Sequence, residues 1–190
     1  MAGRDIKSRQ LPLDLPTPAA MQREDFLGAP GNAAALALID AFPDWTAPVV
    51  CLLGPPGAGK SHLAAVFAAK SGALTHRASD LARADVPAAL SHGALVVEDL
   101  EPGTFDEAAL FHLLNLAREQ DAYVLLTART SPAVWPLATA DLASRLRALP
   151  KLELAAADDA LLAAVLVKLF ADRQIAVDDA RTMQSTNLRC

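Results

Sequence analysis

The chain has 190 residues and a formal net charge of −5, enough length to bury one substantial core and too acidic for broad contact with a nucleic-acid backbone, which needs clustered Lys and Arg. Its hydrophobic fraction of 53% owes much to alanine, about a fifth of the residues, and no run of about 18 apolar residues exists to span a bilayer. A soluble protein with no membrane partner and no strong direct DNA binding is expected.

In chain order, Met1 is followed by Ala2, Gly3, Arg4 and Asp5, without the apolar stretch of a secretory signal, so the cytoplasm is the default compartment. Residues 1–31 carry Pro12, Pro16, Pro18 and Pro30 and no core-forming periodicity, and read as an extended arm. Asn32 is a candidate N-cap for a helix over Ala33–Phe42, stopped by Pro43. Pro48–Leu53 is a short apolar run bounded by turn signals, a buried strand in pattern, and Ala73–His76, Ala94–Val97, Ala122–Thr127 and Lys151–Leu154 resemble it. Helical patterns lie between: Ala64, Val66 and Phe67 in one, Leu110, Leu113, Leu114 and Ala117 in another, whose Thr104 and Glu107 have the spacing of a capping box. Strands alternating with helices predict an α/β fold with a parallel sheet. A broad apolar helical stripe follows at Leu161, Leu162, Val165, Leu166, Leu169 and Phe170, and the polar stretch Asp178–Cys190 is expected to form an irregular tail. Cys51 and Cys190 offer neither a disulfide framework nor metal-ligand spacing and read as free thiols.

The strongest chemical signal is Gly54-Pro55-Pro56-Gly57-Ala58-Gly59-Lys60-Ser61, followed by His62. It fits a phosphate-binding loop between a strand and a helix: glycines bring backbone N–H groups onto phosphate oxygens, and the helix points its positive end at the same anion. Lys60 would place an ammonium among the outer phosphates, and the Ser61 hydroxyl would ligate Mg2+. A buried strand ending in acid should complete the site, and Ala94-Leu95-Val96-Val97-Glu98-Asp99 supplies one. Adjacent carboxylates at a strand end point to different sides, so one can reach the metal while the other addresses the attacking water. Glu98 stands where Asp is usual, and the pair does not reveal which carboxylate takes which role. Thr127 closes a later strand beside Arg129 and is a candidate sensor of the outer phosphate.

Asp25-Phe26-Leu27-Gly28 with Asn32, the loop GPPGAGKSH, VVEDLE, VLLTARTSP and Asp141-Leu142-Ala143-Ser144-Arg145-Leu146, taken in order, resemble the AAA+ module of the bacterial replication initiator DnaA. They are most similar to the shorter DnaA-related regulatory-inactivator family, Hda or HdaA. The resemblance implies a P-loop α/β domain of the AAA+ type over residues 25–155, preceded by an arm over 1–24 and followed by a partial helical lid over 156–177. It implies ADP or ATP with Mg2+ as ligand, a nucleotide site from Gly54 to His62, metal contacts by Ser61 and Glu98, and Glu98, Asp99 and Thr127 near the reacting phosphate. In Gln10-Leu11-Pro12-Leu13-Asp14-Leu15-Pro16, the resemblance implies a docking peptide for the DNA polymerase sliding clamp. A proline-stiffened segment loses little entropy on docking, and Gln10, Leu11, Leu13 and Leu15 would make the contacts. Leu142, Leu146 and Leu149 recur at the spacing of a short buried helix face, with Arg145 on its shoulder. A shoulder Arg often snorkels over a core edge or pairs with an acid; the resemblance implies instead an arginine finger directed at nucleotide held by DnaA.

On this reading the chain prevents renewed initiation by driving DnaA to its ADP form. The family's lid is expected to be unfinished, leaving Leu162, Leu166 and Phe170 partly uncovered, and neither Arg181 nor Arg189 stands in the context of a second sensor. The competing readings are an independent P-loop ATPase or small-molecule kinase, the initiator itself, which would need a DNA-binding helix-turn-helix, and an adaptor indifferent to nucleotide.

Overall fold

In the computed structural model of the protein, the structure describes residues 21–172. The elements run α1 (Ala33–Asp40), β1 (Val49–Leu53), α2 (Lys60–Ser71), β2 (Leu74–Arg77), α3 (Val86–Leu90), β3 (Ala94–Leu100), α4 (Glu107–Glu119), β4 (Tyr123–Ala128), α5 (Ala140–Ala148), β5 (Lys151–Glu153) and α6 (Asp159–Asp172). The strands form one five-stranded sheet of order β2-β3-β4-β1-β5, and every pairing is parallel. Hydrophobic burial on both faces explains why the central strands read as continuous apolar runs rather than alternating ones.

Alternation along the strands divides the core. Val50, Leu52, Val96 and Leu125 face a layer made by α1 and α2, with Ile39, Leu63, Phe67 and Trp45. Cys51, Leu53, Leu95, Val97 and Leu126 face α3, α4 and α5, with Leu90, Leu110, Leu113, Leu142 and Leu146. Both layers are needed, since a sheet with one bare apolar face would remain in contact with water.

The helix starts refine the sequence reading. Asn32 occupies the N-cap position of α1, but its side chain turns backward: Oδ1 accepts from Ala29 N–H at 2.8 Å and Nδ2 donates to the Leu27 carbonyl at 3.1 Å. Asn32 therefore folds the preceding turn instead of capping the helix. Thr104 and Glu107 do not form a capping box. Asp106 is the N-cap of α4 and accepts from Ala109 N–H at 2.8 Å, while the Thr104 hydroxyl donates to the Glu101 carbonyl. Glu107 is drawn away by two backbone donors, Ala138 and Thr139, at 3.0 and 2.9 Å.

Residues 21–31 are part of the folded unit rather than an arm. Arg23–Asp25 forms one 3-10 turn, Arg23 pairs with Asp40 at 2.7 Å, and Phe26 is buried against the α1–α2 layer. Proline density predicts an extended chain here, but one well-placed aromatic anchor holds the segment down. The apolar stripe on α6 is real and only partly covered: Leu162, Leu166, Val167 and Leu169 are exposed, and Phe170 is half-buried. Among the described residues, no helix is long and apolar enough to cross a membrane.

Candidate functional site

The loop Gly54–Gly59 leaves the carboxyl end of β1 and enters α2 directly. Gly54 must come very close to its neighbour, since a Cβ there would stand 2.5 Å from the carbonyl oxygen of Leu154. Gly59, at the N-cap of α2, adopts φ +94°, and a Cβ on it would press within 3.0 Å of the Phe26 ring. The motif's glycines are thus demanded by backbone approach as well as by turning. Pro55, Pro56 and Gly57 are exposed at the crest, and Ala58 is buried.

Lys60 bends back over this loop, donating from Nζ to the carbonyls of Gly54 and Pro55 at 2.7 and 2.9 Å. Burial lowers its pKa, and the charge of Arg129 adds to the effect, against opposing pulls from Asp99, Glu101 and Glu98. A desolvated ammonium held only by neutral carbonyls favours an incoming anion. Ser61 follows, exposed, in the first turn of α2, a helix whose positive end faces the loop.

Glu98 continues the row of Ala94 and Val96 that faces α2, so strand alternation carries its carboxylate toward the side where the loop and helix meet. Its Oε1 is buried and has no hydrogen-bond partner. Such an atom is costly unless something polar meets it, and a buried, unpaired carboxylate oxygen is chemically suited to a divalent cation. Asp99 does not simply point to the other face. It sits at φ +58° in an irregularity of β3 between Val97 and Leu100, and its N–H donates to the Thr127 hydroxyl at 3.1 Å. That bulge returns Leu100 to the core and leaves the Asp99 side chain exposed. Thr127 is almost wholly buried and pairs in register with Leu52 of β1, so it ties the acidic strand end to the strand that carries the loop. Among the described residues, no cluster of three or more His, Cys, Asp or Glu side chains could by itself hold a metal.

A cavity of about 330 Å³ opens beside Gly57, Ala58 and Gly59, walled by Phe26, His62 and, on α6, Leu161, Val165 and Lys168. His62 meets Phe26 edge to face at 5.2 Å, and its Nε2 lies 3.0 Å from the Gln22 carbonyl. Lys168 bridges to Asp25 at 2.8 Å, joining α6 to the segment before α1. Spacing in the sequence does not by itself bring Phe26 and the α6 wall to the loop, although the Asp-Phe-Leu-Gly segment and the apolar stripe are both visible in it.

Arg145 lies elsewhere. It lines a surface depression with Pro48, Val49 and Pro150, the residues that lead into β1 and β5. It therefore belongs toward the amino ends of the strands, whereas the loop leaves their carboxyl ends. Its Nη1 donates to Asn115 Oδ1 at 2.6 Å, its Nε stands 3.5 Å from Asp141, and its guanidinium rests 4.7 Å from the Phe111 ring centre. The structure thus brings together Gly54–His62, Glu98, Asp99 and Thr127, and leaves Arg145 apart from them. Gln10, Leu11, Leu13 and Leu15 lie outside the described residues, as do Arg181, Arg189 and the stretch Asp178–Cys190.

A parallel sheet of this order, with a glycine-rich loop between β1 and α2 and an acidic end on β3, defines an α/β P-loop fold of the AAA+ type. Solved structures share it. A DNA replication initiation factor superposes with TM-score 0.73 at 16% identity, over 87% of this chain and 58% of that one. AMPPCP-bound DnaA from Aquifex aeolicus gives TM-score 0.70 at 17% identity, over 86% and 59% of the two chains. Domain III of the Thermotoga maritima replication initiation protein DnaA gives 0.68 at 16%, over 88% and 80%. The likeness is one of fold, and the chain spans under three-fifths of the length of the first two. No protein-family model matches the chain, and no curated protein matches it.

Proposed function

We propose that this chain is a DnaA-related regulator of replication initiation that binds ADP or ATP with Mg2+ and stimulates hydrolysis of ATP held by DnaA. Gly54–Ser61 would cradle the phosphates, with the base in the cavity between Phe26, His62 and α6. Ser61 and Glu98 would hold Mg2+, which when bound offsets phosphate charge, and a Mg2+ site of one carboxylate plus phosphate oxygens and water needs no larger protein cage. Asp99 would address water, and Thr127 would sense the outer phosphate. Gln10, Leu11, Leu13 and Leu15 would dock on the sliding clamp, bringing to DNA a chain whose own net charge is −5.

The observation that carries the regulatory reading is the position of Arg145. A guanidinium near the amino ends of the strands is badly placed for the loop of its own chain and well placed for a nucleotide presented by a neighbour. Leaving Phe111 and Asp141 costs ~0.5–1 kcal/mol for each contact, and giving up the 2.6 Å hydrogen bond to Asn115 costs a further ~1.5–3 kcal/mol. A finger supplied from outside is worth roughly 10³–10⁵ in rate in the GTPase case, by stabilising charge in the transition state.

The test is hydrolysis of DnaA-bound ATP with and without this chain, and with and without clamp loaded on DNA. Stimulation is expected only with both, lost in Arg145→Ala and in the double variant Gln10→Ala with Leu11→Ala. Absence of stimulation by soluble, nucleotide-bound protein refutes the reading. Stimulation that survives Lys60→Ala makes the chain an adaptor indifferent to nucleotide. Turnover of free ATP that needs Lys60 and ignores DnaA makes it an independent ATPase.

A further inference from the structure

Three residues of α4 stand on one stripe, at i, i+4 and i+8, and all three meet the segment that carries Arg145. Glu107 accepts from the N–H groups of Ala138 and Thr139 at 3.0 and 2.9 Å. The Phe111 ring centre lies 4.7 Å from the Arg145 guanidinium, and Asn115 Oδ1 accepts from Nη1 at 2.6 Å. All three are half-buried, on the shoulder between the core row of Leu110, Leu113, Leu114 and Ala117 and the exposed Ala108 and His112. The contacts run in the same order on both helices, over about 12 Å from Glu107 to Asn115 and about 9 Å from Thr139 to Arg145.

The two ends of this seam differ. Leu142 and Leu146 bury the middle of α5, but apolar burial is non-directional and does not by itself fix the helix along its axis. Thr139 is the N-cap of α5, and its side chain makes no capping bond. The helix start is held instead by the Glu107 carboxylate, which gives one oxygen to each of two consecutive N–H groups and sets negative charge at the positive end of the helix. The same two bonds lower the Glu107 pKa. When Arg145 extends toward a neighbour it gives up Phe111 and Asn115, whereas Glu107 keeps its hold. The aim of the extended guanidinium is then set by the register of α5.

We propose that Glu107 is a positioning residue for Arg145, fixing the start of α5 so that the guanidinium meets a neighbour's nucleotide in one defined orientation. The inference rests on the reading of Arg145 as a finger and adds the residue that aims it. Glu107 acts through α5 and not on the nucleotide. Its leverage is geometric, since a misplacement of about 1 Å at a reacting group costs roughly a hundredfold in rate.

The experiment follows hydrolysis of DnaA-bound ATP, with clamp loaded on DNA, against the concentration of the full chain for the wild type, Glu107→Ala, Glu107→Gln and Arg145→Ala, and measures the ADP affinity of each beside it. Glu107→Ala is expected to lower the maximal rate roughly tenfold to hundredfold, while the half-saturating concentration and the ADP affinity stay within about threefold of wild type. Glu107→Gln keeps one acceptor oxygen at the same reach and should recover part of the loss. Wild-type ADP affinity certifies folding, and where Glu107→Ala fails that check, Glu107→Gln decides by the same criterion. A merely structural role moves half-saturation and ADP affinity together with the rate. That pattern, or an unchanged maximal rate, overturns the proposal. If the wild type does not stimulate, or Arg145→Ala stimulates fully, the finger reading fails and the inference with it; stimulation that needs Arg145 and ignores Glu107 refutes the positioning role alone.

Discussion

Gly54 and Gly57 sit three residues apart in one loop, both at positive φ, and the structure predicts very different costs for giving each a methyl group. At Gly54 the Cβ would lie 2.5 Å from the Leu154 carbonyl oxygen, against an ordinary carbon–oxygen approach of about 3.3 Å. The oxygen cannot retreat cheaply, because Leu154 is buried and its N–H donates to the Leu53 carbonyl at 2.7 Å. Overpacking of that size costs ~1–3 kcal/mol, and backbone strain at φ +157° adds ~1–3 kcal/mol. At Gly57, φ is +78° and nothing lies within 4 Å of the new carbon, so only left-handed strain of ~1–2 kcal/mol remains. The entropy gained by stiffening the unfolded chain is the same in both variants and cancels. Gly54→Ala should therefore be less stable than Gly57→Ala by about 2 kcal/mol, a further drop in Tm of ~4–8 °C for a domain of this size. Urea and thermal unfolding of the nucleotide-free chain measure this directly. Equal destabilisation, or the reverse order, would show that the contact between the loop and the β5–α6 connection is wrong.

Other consequences are equally accessible. The Glu107 carboxyl is held below its ordinary value of 4.5 by the backbone N–H groups of Ala138 and Thr139; a depressed native pKa gives stability that is complete above the unfolded value and is lost as pH falls through the folded one. Glu107→Gln should remove that component of acid sensitivity, seen as a flatter stability profile below about pH 5; an unchanged profile refutes the anchoring role. Burial pushes the Cys51 thiol up to about 12, so peptide-level mass spectrometry should find it unalkylated at pH 8 until denaturant is added. The exposed Leu166 and Val167 should bind a hydrophobic dye and promote self-association. Leu166→Gln with Val167→Gln should reduce both and shift Tm by no more than ~2 °C, as surface changes do; unaltered dye binding would mean that this face is covered in solution.

Much of the fold was legible because burial on both faces leaves an uninterrupted apolar record. Val49–Leu53, Ala94–Val97 and Tyr123–Ala128 are strands that could not be solvated, and the helices between them carry one apolar side each. Helix starts leave a weaker record. Asn32 and Thr104 are residues of the right type at plausible positions, but each found a better hydrogen-bond partner in a neighbouring turn. Residue type proposes a cap, and competition among all nearby donors and acceptors decides it. Residues 21–31 are hidden for a related reason, since proline density speaks of local stiffness and not of whether Phe26 has a pocket to enter.

The site divides along the same line. The phosphate loop and the acidic strand end are legible in the chain alone, because their chemistry depends on contiguous residues whose spacing is fixed by covalent geometry. The chain alone could not place Phe26, His62 and α6 around one cavity, put Arg145 toward the far end of the strands, or leave Glu98 with a buried, unanswered oxygen. Those relations join residues distant in the chain, and only the parallel register of β1 with β4 and β3 with β4, and the packing of helices on each face, bring them to a common distance scale. There the Coulomb and hydrogen-bond terms that govern binding become large enough to matter.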